Sequence, residues 1–193
     1  IDTSHALGRK VTAHAHGTDG INAALRAGVD SIEHATFADK ESFRLFRRTG
    51  AYLVPTLLAG VSVTEISTDP NSFFPESVRH KALQVGPRMI ENVRRAHKAG
   101  VKIAFGTDSY VSNHGLNARE FELLVTAGLT PLEAIKTATV NGADNLGKSK
   151  ILGSLEVGKY ADLIAVDEDP SINISALRNV DFVMKEGKVF KGI

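Results

Sequence analysis

The protein has 193 residues, enough for one well-packed core or for a domain with an appendage. Hydrophobic residues make up 42% and charged residues 23%, a balance typical of a globular protein and not of a disordered one. A net charge of +1 without a dense basic run gives no sign of a nucleic-acid or membrane partner, and no apolar run is long enough to span a bilayer. Because there are no cysteines, any bound metal must be held by nitrogen and oxygen ligands.

A repeated pattern of helix, glycine and β-prone run fills the first hundred residues. The helical patterns end at Gly8, Gly28, Gly50 and Gly100. The strands predicted after them cover residues 10–15, 29–35, 51–57 and 102–105. Alternating strands and helices predict a parallel α/β fold whose short apolar strands are buried on both faces. We count four strand–helix units, half of the eight that close a (β/α)8 barrel.

The helices between these strands carry recognisable start signals. Asp19 and Asp39 stand where N-caps are expected. Pro87 lies inside a longer helical pattern, and we expect it to kink or split that helix. The pattern lapses over residues 58–75, which predicts a long loop at the mouth of the barrel, acting as a lid.

After residue 117 the sequence predicts two further helices and then a β-hairpin. A helix is predicted over residues 118–126, and residues 130–133 form a capping box with proline at the first helical position. Beyond them, alternating apolar residues and a turn at residues 186–187 predict a β-hairpin. We therefore divide the chain into a barrel part, residues 1–151, and a small β unit, residues 152–193.

Metal-binding residue types fall at the ends of three predicted strands. His14 and His16 flank Ala15, so both imidazoles point to the same face of a strand, and strand geometry permits either as a ligand. His34 ends the next strand, and Asp108 ends the fourth. Parallel barrel strands share one mouth, where barrel active sites are built. The sequence therefore predicts a metal site formed by His14 or His16 together with His34 and Asp108.

Further candidates lie around that mouth. Tyr110, His114 and Asn117 follow Asp108 on a loop, and Thr56 ends the third strand; all four are candidate substrate contacts. The alternative for the three loop residues is an ordinary polar loop. The remaining histidines fall in helical patterns, where a surface or core role is the usual one, and they are His5, His80 and His97.

These motifs resemble the metal-dependent amidohydrolase superfamily, in the branch of Xaa-Pro dipeptidases and imidazolonepropionase-like proteins. Its fifth-, sixth- and eighth-strand motifs are matched by His-Ala-His-Gly at 14–17, Glu-His at 33–34 and Gly-Thr-Asp-Ser at 106–109. The sequence that follows is matched at 117–124, 127–134 and 158–164. The last of these segments marks the return into a small β-sandwich domain, so the resemblance covers essentially the whole chain.

The resemblance implies the C-terminal half of a (β/α)8 barrel plus part of the β-sandwich. It implies one or two ions of zinc or a similar divalent metal, with His14 and His34 as ligands. Asp108 would be a ligand and proton shuttle, and His16 a neighbour on the substrate side. The family's first-strand His-x-His pair and fourth-strand carboxylated lysine have no counterpart here. We expect them upstream of Ile1, and therefore expect a fragment that binds metal weakly and is inactive alone.

On this interpretation the parent protein hydrolyses small amides or dipeptides. Metal-bound hydroxide attacks the carbonyl, and Asp108 takes up the proton and passes it to the leaving amine. Two alternatives stay open. One is cyclic-amide hydrolysis or deamination, and the other is a non-catalytic half-barrel that needs a partner chain. We expect a cytoplasmic homo-oligomer, with an upstream signal peptide left open.

Overall fold

The computed structural model describes residues 1–192. The helices are α1 Asp2–Ala6, α2 Thr18–Arg26, α3 Lys40–Thr49, α4 Leu57–Thr68, α5 Glu76–Lys98, α6 Arg119–Thr126, α7 Pro131–Ala138 and α8 Val140–Asn145, with a 3-10 turn at Ile174–Arg178. The strands are β1 Thr12–Ala15, β2 Ser31–His34, β3 Tyr52–Val54, β4 Leu163–Ala165, β5 Phe182–Lys185 and β6 Lys188–Lys191. Within this described range, no helix combines the length and apolarity that crossing a bilayer requires.

The first three strands form a parallel sheet in the order β1-β2-β3. The register pairs Ala15 with His34, so β1 and β2 end at the same level. The predicted fourth strand is reduced to one parallel bridge between Leu53 and Ile103. The α/β class is confirmed, and this order of strands and helices agrees with a partial (β/α)8 barrel.

The helices pack on this sheet through one shared core. Leu25 of α2, Ile32 of β2 and Phe46 of α3 are at most 1% exposed. Val93 of α5 and Leu124 of α6 belong to the same cluster. Burying one such side chain contributes about 1.5–3 kcal/mol, so this cluster fixes the strands whose ends carry the candidate site.

Two predicted helix starts are confirmed. Asp39 accepts a hydrogen bond from the Ser42 N–H at 2.8 Å, and the Ser42 side chain completes a capping box at α3. Thr130 and Glu133 form the predicted box at α7. These local signals were readable because all their partners lie within three residues.

A predicted helix cap, at Asp19, and a predicted helix split, at Pro87, are wrong. The N-cap of α2 is Gly17, and Asp19 lies inside the first turn, where its charge favours the helix dipole. Pro87 lies inside α5, which continues through it as one 23-residue helix. Packing of α5 along α4 stabilises the helix despite the backbone hydrogen bond that proline cannot donate.

The loop predicted over residues 58–75 is also wrong for most of its length, because Leu57–Thr68 is helical. Leu57 and Leu58 are buried, and apolar residues occur on several sides of α4. A helix buried on several sides has no polar face, so its sequence lacks the amphipathic period that prediction relies on.

The C-terminal strands form a separate antiparallel sheet in the order β4-β5-β6. The predicted hairpin is present, with Glu186 and Gly187 at positive φ of 51° and 78° between β5 and β6. Every residue of β6 is exposed, unlike β3, which is buried throughout.

Candidate metal centre

The ends of β1 and β2 bring three histidine rings together. The ring centroids of His14, His16 and His34 are 4.6 to 4.9 Å apart. Each ring offers one ligand nitrogen, and these atoms lie within 4.8 Å of one another. The rings of His16 and His34 are nearly parallel, at 8°. The structure thus gathers the two histidines predicted as ligands, and His16 with them.

Two of these rings are hydrogen-bonded to the hydroxyl of a threonine. In each case the threonine lies just after the neighbouring strand of the sheet. His34 Nδ1 lies 2.6 Å from Thr56 Oγ1, and His16 Nδ1 lies 2.7 Å from Thr36 Oγ1. Thr56 Oγ1 also donates to the Pro55 carbonyl at 2.8 Å. Because a hydroxyl has only one hydrogen, His34 Nδ1 must be the donor to Thr56. The Nε2 of His34 then keeps the lone pair with which histidine binds a metal.

Burial favours the neutral form of two of these imidazoles, those of His34 and His16. Desolvation, followed by the neighbouring His16 and His14, lowers the pKa of His34 to about 4, while the charge of Asp108 opposes the shift. Desolvation also lowers the pKa of His16, helped by His14 and Lys81. Neutral imidazole is the form that coordinates a metal ion.

Left-handed backbone angles in residues other than glycine cluster around the same place. They occur at His34 (φ 68°), Ala35 (47°), Thr56 (49°), Asp108 (51°) and Tyr110 (107°). Over residues 1–192 the only other case is Glu186, in the hairpin. Each such residue costs about 1–3 kcal/mol, and such residues collect at functional sites. The sharp turns that follow the strands here are therefore a sign of function.

Asp108 lies on a loop beyond the Ile103 bridge. Burial raises the pKa of Glu33, and the charge of Asp108 adds to that rise. The same charge opposes the lowering of the His34 pKa that burial causes. Asp108 is nevertheless not a member of the three-imidazole group. A Cβ at Gly106 would lie 2.4 Å from Val54 Cγ1. Glycine at this position therefore lets the segment before Asp108 lie directly against β3.

The other predicted contacts differ in their surroundings. Asn117 Nδ2 donates to Thr107 Oγ1 at 3.1 Å and to Ser109 Oγ at 2.8 Å, which ties the loop on both sides of Asp108. Tyr110 is 91% exposed, and His114 is also exposed. By contrast, Thr56 is 2% exposed, with its hydroxyl against His34.

Sequence reasoning missed two residues of this region. Thr36 is one, and its only signal is the spacing of 20 residues from His16, close to the 22 between His34 and Thr56. Glu120 is the other. It is 0% exposed, and its carboxylate oxygens accept the Leu57 and Leu58 N–H groups at 2.9 and 2.6 Å. Burial raises the pKa of Glu120 to about 7, against the opposing effect of those two donors.

The sequence profile of the amidohydrolase family matches residues 1–190. The chain belongs to the amidohydrolase family. Ochratoxinase from Aspergillus niger is 38% identical over 199 aligned residues, which cover 100% of this chain and 40% of that protein. A crystal structure of a Xaa-Pro dipeptidase with methionine bound in the active site superposes with a TM-score of 0.96 and 47% identity, covering 99% of this chain and 47% of that one.

Imidazolonepropionase from Shouchella clausii is 34% identical over 104 residues, covering 51% of this chain and 23% of that protein. The resemblance inferred from the motifs is therefore confirmed. The chain spans less than half the length of the amidohydrolases that it matches from end to end.

The donor set fits the metal dependence that is general among amidohydrolases. Three imidazoles with ligand atoms in mutual reach suit zinc and similar divalent ions. The hydrogen bond from His34 to Thr56 is the kind of outer contact that orients a metal-binding ring.

Proposed function

We propose that the protein is a metal-dependent hydrolase of amide or peptide C–N bonds. The observation that carries this proposal is the three-imidazole group with the His34 tautomer set by Thr56. Similarity to a Xaa-Pro dipeptidase over 99% of the chain supports a dipeptide or N-acyl amino acid as the substrate.

The organisation of the chain forms part of the same proposal. Residues 1–151 would be the C-terminal part of a (β/α)8 barrel with four βα units, and residues 152–193 the C-terminal strands of a β-sandwich. The open antiparallel sheet β4-β5-β6 supports the second assignment. Assembly as a homo-oligomer remains a prediction.

His14 and His34 would hold zinc or a similar divalent ion, and Asp108 would complete a centre of one or two ions. Such an ion polarises a carbonyl and lowers the pKa of water when bound. Asp108 would accept the proton of the attacking water and pass it to the leaving amine. Its exposed position on the loop supports this role, because a proton shuttle must reach both atoms.

His16 would lie on the substrate side of the centre. Its ring stacks on His34, and its Nδ1 is bonded to Thr36. His14, on β1, is exposed, whereas His16, directly after the strand, is half-buried. Metal analysis separates the two roles, because His14→Ala should lose bound metal and His16→Ala should retain it while binding substrate less well.

The loop residues Tyr110, His114 and Asn117 would contact the substrate, with Asn117 also holding the loop through Ser109. Thr56 would act beneath them, through His34. A second candidate activity, cyclic-amide hydrolysis or deamination, is favoured by the similarity to imidazolonepropionase over 51% of the chain.

The test uses the full-length protein, assayed for zinc content and for hydrolysis of Xaa-Pro dipeptides and cyclic amides. His34→Ala should lower both zinc content and turnover, because it deletes a ligand. His80→Ala, on the exposed face of α5, is the matched control and should change neither. A wild-type protein that holds no metal at saturating zinc would contradict the proposal.

A further inference from the structure

We propose that Glu120 is a positioning residue for the metal centre, acting through Thr56 on His34. The inference rests on the function proposed above and concerns a buried carboxylate on α6, outside the three-imidazole group. Three observations support the inference. Glu120 accepts the first two N–H groups of α4, and the Thr56 side chain does not cap that helix. The nearby Asn117 donates hydrogen bonds on both sides of Asp108.

Glu120 occupies the N-terminus of a helix to which it does not belong. Its two oxygens accept the N–H groups of Leu57 and Leu58, the first two residues of α4. These N–H groups have no partner within the helix and carry its positive dipole end. The carboxylate therefore fixes the point where the chain leaves β3 and turns into α4.

Thr56 is the N-cap residue of α4, a position where threonine normally caps its own helix. In the described part of the chain it makes no such bond. Its hydroxyl instead donates to Pro55 and accepts from His34. Glu120 thus takes over the capping that Thr56 would otherwise supply, which leaves the Thr56 hydroxyl available to hold the His34 ring.

A merely stabilising cap would not require a buried carboxylate. A local serine or aspartate can cap a helix at the surface, whereas a carboxyl group with 0% exposure carries a desolvation cost. The desolvation cost of Glu120 is explained if the Thr56 hydroxyl is needed to hold the His34 ring. Thr56, at 2% exposure and φ 49°, has little room to serve both partners.

The same segment also reaches the other side of the centre. Asn117, in the turn that leads into α6 and three residues before Glu120, binds Thr107 and Ser109 on either side of Asp108. Residues 117–120 therefore join the loop that carries Asp108 to the turn that carries Thr56. A displacement of Glu120 should therefore change the hydrogen bonding of the His34 ring more than it changes the stability of the whole fold.

The test is Glu120→Gln in the full-length protein. The amide oxygen can accept one N–H, but the NH2 group faces the other donor. Thr56 should then compete to cap α4 and release His34. We expect zinc affinity, measured by chelator competition, to weaken by about tenfold. In the metal-free protein, the ¹⁵N resonances of His34 should lose the signature of an Nδ1–H tautomer.

Glu122→Gln is the matched control, because Glu122 lies on the same helix but pairs with Arg178 at the surface. It should leave zinc affinity and the His34 resonances unchanged. If the two residues act in series, Glu120→Gln and Thr56→Val should have non-additive effects on zinc affinity. Additive effects would overturn the proposed route.

The proposal is also overturned if Glu120→Gln lowers the unfolding temperature but leaves zinc affinity and the His34 resonances as in the wild type. Should the glutamine variant not fold, Glu120→Asp, which withdraws the carboxyl group from α4, is measured with the same criteria. A wild-type protein without zinc would instead count against the proposed function, while the His34 resonances still decide the role of Glu120.

Discussion

The histidine side and the aspartate side of the candidate metal centre are held in different ways. His14, His16 and His34 stand at the ends of two paired strands, and the hydrogen bond between His34 and Thr56 is buried. Asp108 follows a single β-bridge and is exposed on its loop. One side is anchored by a sheet and a core, the other by a few polar bonds.

This difference matches the two functions proposed for the candidate centre. Metal ligands need fixed nitrogen atoms at distances of about 2 Å from the ion, which a packed sheet can supply. A proton shuttle must serve first a water and then a leaving group, which an exposed loop allows. We therefore expect changes on the histidine side to act mainly on metal binding, and changes on the aspartate side mainly on turnover.

The largest effect should come from Asp108→Asn. The amide keeps the size of the side chain but cannot take up the proton, so kcat should fall by about 10² to 10⁴. Zinc held by the histidines should be largely retained, as measured by metal analysis beside the kinetic assay. Asp167→Asn, an exposed change near β4, should behave as wild type. Near-normal hydrolysis of every amide tested would remove Asp108 from the mechanism.

The next largest effect should come from Thr56→Val, which keeps the shape but leaves the His34 Nδ1–H buried without a partner. Zinc affinity or activity should fall by about 10–100-fold, and the free energy of unfolding by about 1–3 kcal/mol. Thr36→Val makes the same change beside His16. It should alter zinc affinity much less, because we propose that His16 lies on the substrate side. Equal losses in the two variants would make His16 a ligand.

A third prediction concerns the pH dependence of stability. The folded protein holds the Glu120 proton up to about pH 7, whereas the unfolded chain releases it near 4.5. Stability from this group is therefore full below pH 4.5 and is lost as the pH rises through 7. Between pH 5 and 8, the unfolding free energy of wild type should fall by about 2 kcal/mol relative to Glu120→Gln.

Urea unfolding of both proteins at the two pH values measures this difference, with Glu122→Gln as the control that keeps the wild-type slope. If Glu120→Gln left the pH dependence of the unfolding free energy unchanged, the carboxylate would be ionised over the whole pH range. The Leu57 and Leu58 amides would then stabilise its charge.

The sequence predicted the anchored side better than the regions around it. Strand ends and helix stops are local signals, so the spacing from His14 to His34 placed both residues correctly at neighbouring strand ends. The role of Glu120 could not be read, because its partner Leu57 lies 63 residues away. The helix α4 was missed because burial removes its polar face. The left-handed turn at Thr56 was missed because no glycine marks it.

The smallest effect should come from Tyr110, on the aspartate side. Its φ of 107° is a strained value for a residue with a side chain, and the residue is 91% exposed, so packing does not explain the strain. Tyr110→Gly should raise the free energy of unfolding by about 1 kcal/mol, because glycine adopts this angle without cost. Tyr110→Phe keeps the strain and removes only the hydroxyl. If that hydroxyl contacts the substrate, both variants should raise KM by about fivefold with little change in kcat, the worth of one hydrogen bond. A KM unchanged in both would leave Tyr110 as an ordinary loop residue and would confine substrate binding to His114, Asn117 and the histidine side.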